Sequence, residues 1–443
     1  MYKQIRFTSF SFGCRVNEAE RIEMNREMIA AGFILDHKRP DLFIINSCAV
    51  TNKAEREVRQ LIMKLKRDNP NLRLVVTGCA ATYWRKNKLW KNIPIDLIIS
   101  NNQKTSLISQ IKEYHISNPS NLAVFQPRQS NSDQLQQDKF ILSGRVMIKI
   151  QDGCHRFCSY CIVPHLRGKP KSRKIYEIIQ RVRENQQGNH INEIIYTAIN
   201  TEAFGKDTGE SLLQLIKTSI HQIKVPRISF GSIHPWSITK EFLDYYRVNI
   251  ARKRLSDFFH VPIQSGSNKI LKYMNRGYCI EDIEERLNEI QEINPFALIA
   301  TDVIVGFPGE TDTEFQNTYE ALKYLPISKF HIFRFSPRRG TAADLLRKQL
   351  GEPTSQEKQD RARILTQLGK KKYQEFLTEQ IGSTNTGLFI GNNKDALQQA
   401  LMHNQIPVTI KTNEDLNGRM MQIKILEKKN ERLFGVICGP DRT

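Results

Sequence analysis

The stretch Asp152-Gly153-Cys154-His155-Arg156-Phe157-Cys158-Ser159-Tyr160-Cys161 sets three cysteines at the spacing Cys-x3-Cys-x2-Cys. No fourth cysteine follows nearby, the next being Cys279. A [4Fe–4S] cluster ordinarily takes four thiolates, one for each iron. Three thiolates on one short loop would hold three irons and leave the fourth open to a small ligand. An open iron suits chemistry on a bound molecule better than electron carriage alone. Zinc fits less well, because structural zinc sites take four ligands, commonly two separated Cys-x2-Cys pairs. His155 adjoins Cys154 and is poorly placed to reach the same ion. A disulfide is not expected, since the start Met1-Tyr2-Lys3-Gln4-Ile5-Arg6-Phe7 lacks the apolar core of an export signal and cytosolic thiols stay reduced. The remaining alternative is three unrelated buried cysteines bracketed by Gly153 and Pro164.

A second trio lies upstream. Cys14, Cys48 and Cys79 each follow a short apolar run and precede a helical pattern. Asn52 to Lys66 is one such helix, with Ala54, Val58, Leu61, Ile62 and Leu65 on one face. If the three runs are parallel strands of one sheet, their carboxyl ends share the edge at which open α/β sheets build ligand sites. Three thiolates distant in sequence would then converge on a second cluster. Taken singly, each is equally a small buried hydrophobe. Cys279 and Cys438 have no such context and carry no assigned role.

The chain has 443 residues, enough for two or three domains, and a hydrophobic content of 40% that can fill their cores. No apolar run reaches membrane-spanning length, so a cytoplasmic protein without membrane partners is expected. Lysine and arginine number 66 against 46 acidic residues, a net charge of +20 that suits a polyanion such as RNA. The run His165 to Lys174 concentrates five cations after the cysteine loop, and its Arg167, Lys169, Lys171 and Arg173 are candidate RNA contacts. Gly168 and Pro170 argue for a loop there, which is equally readable as a solvated surface turn.

Strand–helix alternation over 1–124 predicts an open parallel α/β sheet domain. A Gln-, Ser- and Asn-rich linker follows at 125–139. Over 140–372, strand-like runs at Val146 to Ile150, Glu193 to Thr197, Arg227 to Ser232, Phe258 to Ile263, Leu298 to Val305 and Lys329 to Phe335 predict a partial (β/α)6 barrel with its site at the strand carboxyl ends. Residues 373–443 contain strand-like runs at Ile406 to Thr412, Arg419 to Glu427 and Arg432 to Cys438, as in a small β-barrel.

These features together resemble the radical S-adenosylmethionine (SAM) methylthiotransferases over essentially the whole chain. Beyond the six cysteines, the resemblance rests on Ser232-Ile233-His234-Pro235, Pro262-Ile263-Gln264-Ser265-Gly266-Ser267, Met274-Asn275-Arg276-Gly277-Tyr278, Thr301 to Thr311 and Phe335 to Thr341. It implies two [4Fe–4S] clusters, one radical-generating on Cys154, Cys158 and Cys161 and one sulfur-delivering on Cys14, Cys48 and Cys79. SAM would bind the open iron of the first and yield a 5′-deoxyadenosyl radical that takes hydrogen from the substrate carbon. Asn200 stands where family members bind the SAM amino group. Ser232, His234 and Gln264, at the ends of the next strands, would line the same mouth, and Asp302 stays open between a helix cap and a SAM contact. The carboxy-terminal barrel would be an OB-like, RNA-binding TRAM domain, although the Gln-rich stretch Gly391 to Asn404 departs from the expected glycine–aromatic pattern. Implied partners are tRNA, a flavodoxin- or ferredoxin-type electron donor and a sulfur source. Gly13-Cys14-Arg15-Val16-Asn17 looks most like the branch acting on threonylcarbamoyladenosine beside the anticodon. The isopentenyladenosine branch and the ribosomal-protein aspartate branch are the alternatives. A non-catalytic RNA-binding iron–sulfur protein is the reading from a different class.

Overall fold

Apolar strands alternating with amphipathic helices begin the chain. The computed structural model describes residues 4–117 and 143–439, so the expected linker lies outside the described residues. Strands β1 (Arg6–Ser11), β2 (Ile34–Leu35), β3 (Leu42–Ser47), β4 (Arg73–Gly78) and β5 (Leu97–Ile99) pair in parallel in the order β2-β1-β3-β4-β5. Successive strand residues point to opposite faces. Ile44 and Val75 therefore pack on helices Arg15–Ala30 and Leu107–Ser117. Ile45 and Val76 pack on helices Asn52–Asp68 and Cys79–Lys86. Burial on both faces explains the continuous apolar runs. Thr51 caps the helix Asn52–Asp68, its hydroxyl accepting from Ala54 N at 3.1 Å.

The central domain holds β6 (Arg145–Asp152), β7 (Lys171–Ser172), β8 (Glu193–Ala198), β9 (Arg227–Phe230), β10 (Phe258–His260), β11 (Leu298–Val305) and β12 (Lys329–Arg334). The orders are β7-β6-β8-β9 and β10-β11-β12, parallel except for the short β7. A parallel bridge between Ile228 and Leu255 joins the two groups. The six parallel strands form an open half-barrel with helices outside. The helix Arg15–Ala30 fills part of its inner face, where Ala19 and Ile22 pack on Met147 and Ile195. Strands β9 and β10 end earlier than the sequence predicts, which leaves Ser232 and Gln264 on the loops that follow.

The third body is a closed barrel of β13 (Thr384–Lys394), β14 (Leu397–Met402), β15 (Pro407–Lys411), β16 (Met420–Lys429) and β17 (Arg432–Gly439), in the order β13-β14-β15-β17-β16. The expected boundary at 372/373 falls inside the helix Ser355–Glu379, whose Phe376 and Leu377 enter the barrel core. The Gln-rich stretch forms β14 and part of β13. Buried Gln398 donates to Gly391 O at 2.7 Å and accepts from Leu416 N at 2.9 Å, so its polarity hid a strand. The barrel docks on the amino ends of the central strands. Glu193, fully buried, meets Arg145 at 2.7 Å, Arg227 at 3.2 Å and Gln405 Nε2 at 2.7 Å. Arg227 Nη1 also donates to Leu401 O at 3.1 Å and Met402 O at 2.9 Å. No helix among the described residues is long and apolar enough to cross a membrane.

Candidate functional site

Cys14, Cys48 and Cys79 lie just past the carboxyl ends of the adjacent strands β1, β3 and β4, whose register pairs Ser11 with Asn46 and Ser47 with Gly78. Cys14 caps the helix Arg15–Ala30, and Cys79 opens the helix Cys79–Lys86. Gly13 sits at φ +90°, and a Cβ there would lie 2.6 Å from Cys48 Sγ, so only glycine lets the two loops meet. Burial, together with the other two thiols, pushes Cys48 up to about 12. Asn101 Nδ2 stands 3.5 Å from Cys79 Sγ.

Cys154, Cys158 and Cys161 follow β6 on their loop. Gly153, at φ +71°, is held where a Cβ would strike Lys169 O at 2.1 Å. Burial raises Cys154, and burial plus Cys158 pushes Cys161 up to about 12. Asn200 Nδ2 reaches to 3.7 Å of Cys154 Sγ, and Arg276 Nη1 donates to Cys158 Sγ at 3.3 Å.

All eight cysteines are free. Among the described residues no trio of His, Cys, Asp or Glu closes around a single ion. A cubane places each thiolate on its own iron, so it asks for three thiols round a larger space. The cationic and amide donors beside Cys158, Cys79 and Cys154 fit that demand, because they would stabilise thiolates bound to iron.

Cys14 shares one cavity of about 550 Å³ with Cys154, Cys158 and Cys161. Helix Arg15–Ala30, set into the half-barrel, brings them together, whereas Cys48 and Cys79 do not line this cavity. Asn200, Ser232, His234 and Gln264 all line this cavity. Asn200 accepts from Glu202 N at 3.1 Å, and its own N–H donates to Gln151 Oε1 at 2.9 Å. His234 packs against Thr201 and stacks on Trp236 at 6.2 Å, and burial pushes it down to about 3. Gln264 adopts φ +73°, its N–H held by Asp302 O at 2.9 Å. His260 links Ser232 Oγ at 2.7 Å on Nδ1 to Asp302 Oδ1 at 3.0 Å on Nε2.

The basic run corrects the sequence reading at two positions. Arg167 is buried, its guanidinium bonded to Glu20 at 2.8 Å, Asp152 at 2.8 Å and Asn17 at 2.6 Å. It is not presented to solvent for an RNA contact, because two carboxylates hold it in the domain interface and outweigh the cost of desolvation. Glu20 also takes Lys104 at 2.5 Å and Lys149 at 2.9 Å. Arg173 pairs through both terminal nitrogens with Glu23, one contact at 2.8 Å. The run is less loop-like than expected: Val163–Arg167 is a helical turn, and Lys171–Ser172 pairs with Gln151–Asp152. Lys169 and Lys171 are exposed.

Residues 148–322 match the family described as "Radical SAM superfamily", and residues 6–100 match "Uncharacterized protein family UPF0004". Threonylcarbamoyladenosine tRNA methylthiotransferase MtaB of Aquifex aeolicus is 34% identical over 387 residues, 87% of this chain and 92% of that protein. The chain belongs to the radical SAM methylthiotransferases. MtaB of Bacillus subtilis is 30% identical over 94% of this chain and 93% of its own length. A tRNA-2-methylthio-N(6)-dimethylallyladenosine synthase of Petrotoga mobilis is 30% identical over 98% and 99%. The radical SAM methyltransferase TsrM of Kitasatospora setae shares the fold, with a TM-score of 0.53, 13% identity and 75% of each chain covered.

Sequence reading of this methylthiotransferase missed Arg276, His260 and Arg15 as cavity residues. Arg276 lay within a quoted segment, and its adjacency to Cys158 depends on a contact 118 residues apart.

Proposed function

We propose that the protein converts tRNA N6-threonylcarbamoyladenosine, beside the anticodon, to its 2-methylthio derivative, with Cys154, Cys158 and Cys161 holding the radical cluster and Cys14, Cys48 and Cys79 the auxiliary one. The observation that carries this reading is the single cavity lined by Cys14 and by all three loop cysteines. When bound, the clusters supply the electron that cleaves SAM and the sulfur that is transferred. The chain's own residues orient the reactants: Asn200, Ser232, His234 and Gln264 bind SAM, and His234 stays neutral at ordinary pH. Arg15 opens into the same cavity, and among the described residues its side chain donates to Phe230 O alone, at 3.4 Å. Its cation suits the carboxylate of a threonylcarbamoyl group and has no counterpart on a dimethylallyl group, which favours the first substrate.

Lys169 and Lys171 remain free for phosphate contacts. The cavity and the carboxy-terminal barrel lie at opposite ends of the central strands, so an RNA engaging both runs along the flank of the half-barrel. A flavodoxin- or ferredoxin-type reductant and a sulfur source complete the reaction. Mass spectrometry of tRNA nucleosides from a deletion strain tests the reading. Loss of 2-methylthio-threonylcarbamoyladenosine is expected, and retention of that nucleoside would refute it. Loss of the dimethylallyl counterpart instead would establish the second reading, which rests on the Petrotoga relative.

A further inference from the structure

Segment Tyr273-Met274-Asn275-Arg276-Gly277-Tyr278 clasps the loop that carries Cys154, Cys158 and Cys161. Met274 O accepts from Ser159 N at 3.0 Å, and Tyr273 O from Ser159 Oγ at 2.7 Å. Asn275 Nδ2 donates to Phe157 O at 3.3 Å and Arg156 O at 3.5 Å. Asn275 (φ +56°) and Phe157 (φ +47°) are both left-handed, and the contact holds two strained residues against each other. Arg276 then completes the clasp. Its Nη1 donates to Cys158 Sγ and to Tyr160 Oη, each at 3.3 Å; its Nη2 donates to Pro262 O at 3.0 Å and its Nε to Tyr278 Oη at 2.9 Å. Trp236 covers the guanidinium at 4.7 Å.

Charge singles this residue out. Arg227, Arg276, Arg338 and Arg361 are buried, and so is the side chain of Arg167, which has Glu20 and Asp152. Arg227 meets Glu193 at 3.2 Å, Arg338 meets Glu55 at 2.9 Å and Arg361 meets Glu310 at 2.7 Å. Arg276 has no carboxylate partner; the acidic groups around it are the Cys158 thiol and the phenols of Tyr160 and Tyr278. A buried guanidinium without counter-charge is costly. A thiolate-bound cluster on Cys158 would supply that charge.

We propose that Arg276 is a positioning residue for the radical cluster, its guanidinium on Cys158 Sγ providing the counter-charge that raises the cluster's reduction potential. This rests on the assignment of Cys154, Cys158 and Cys161 to that cluster. Hydrogen bonds to sulfur and local charge set such potentials, and a cation favours the more negative, reduced state. The test is an EPR-monitored redox titration of the reconstituted full chain, following the signal that responds to SAM. Arg276→Gln should cut the ratio of reduced to oxidised cluster about tenfold at fixed potential, a midpoint about 59 mV more negative for one electron, with iron content unchanged. Arg276→Lys, which keeps charge but not the fork, should shift less than half as far. An unmoved midpoint in Arg276→Gln overturns the proposal, and so does an equal shift in both variants. If only the lysine variant loads iron, the charge requirement stands; if neither loads, Arg276 belongs to folding and the proposal falls. Absence of any SAM-responsive signal from the unsubstituted chain strikes the cluster assignment instead.

Discussion

The two cysteine trios differ in what holds them. The central trio sits on eight consecutive residues, held by the strap from Tyr273 to Arg276 and by backbone bonds to Gly168 and Ala343. The amino-terminal trio is spread over three strands and leans on the central domain through a buried charge network. There, Arg167, Lys104 and Lys149 face Glu20 and Asp152, so the cation under the trio already has its carboxylates. Arg276 beside the central trio has none. The first arrangement depends on domain packing for its shape, and the second on a local loop for shape and on its ligand for charge balance.

The strongest break in this comparison is chemical. Cys158→Ala should abolish SAM cleavage, measured as 5′-deoxyadenosine, and lower iron per chain by about one cluster while the amino-terminal site stays loaded. Cys48→Ala should keep SAM cleavage and stop methylthio transfer to tRNA; full transfer by that variant would remove the amino-terminal domain from the reaction. Glu20→Leu should cost about 3–5 kcal/mol, because it strips Lys104 of its carboxylate and leaves Arg167 and Lys149 to share Asp152, read by denaturant unfolding. It should also loosen iron at the amino-terminal site before the central one, and simultaneous loss from both would erase the distinction.

Acid offers a smaller effect. His234 is held at about 3 in the fold against 6.5 when unfolded. Below pH 6.5 the unfolded chain takes up a proton that the folded chain refuses, so stability falls as pH drops from 6.5 towards 3. The slope is at most about 1.4 kcal/mol per pH unit, and His234→Asn should flatten that part of the profile. The smallest effect concerns the surface lysines. Lys169→Ala or Lys171→Ala should each reduce the salt dependence of tRNA binding by about one unit of slope, whereas Arg173→Ala, already paired with Glu23, should act on stability.

Strand and helix placement was legible wherever apolar period and burial agree, as in β3, β11 and the helix Asn52–Asp68. It failed at β14, where buried Gln398 satisfies its amide inside the barrel and reads as a polar loop. Arg167 looked like any cation of a basic run, because nothing local announces Glu20, 147 residues away.

By itself, the amino-acid sequence determined that three thiols would share one loop after β6, since the spacing of a turn is a local property. It determined equally that three other thiols would end parallel strands. Only the tertiary structure decided that Cys14 would enter the half-barrel on the helix Arg15–Ala30, and that Arg167 and Arg276 would divide between compensated and uncompensated charge. Packing of apolar faces selects that docking, and the meeting of charges across it is a consequence no short stretch encodes.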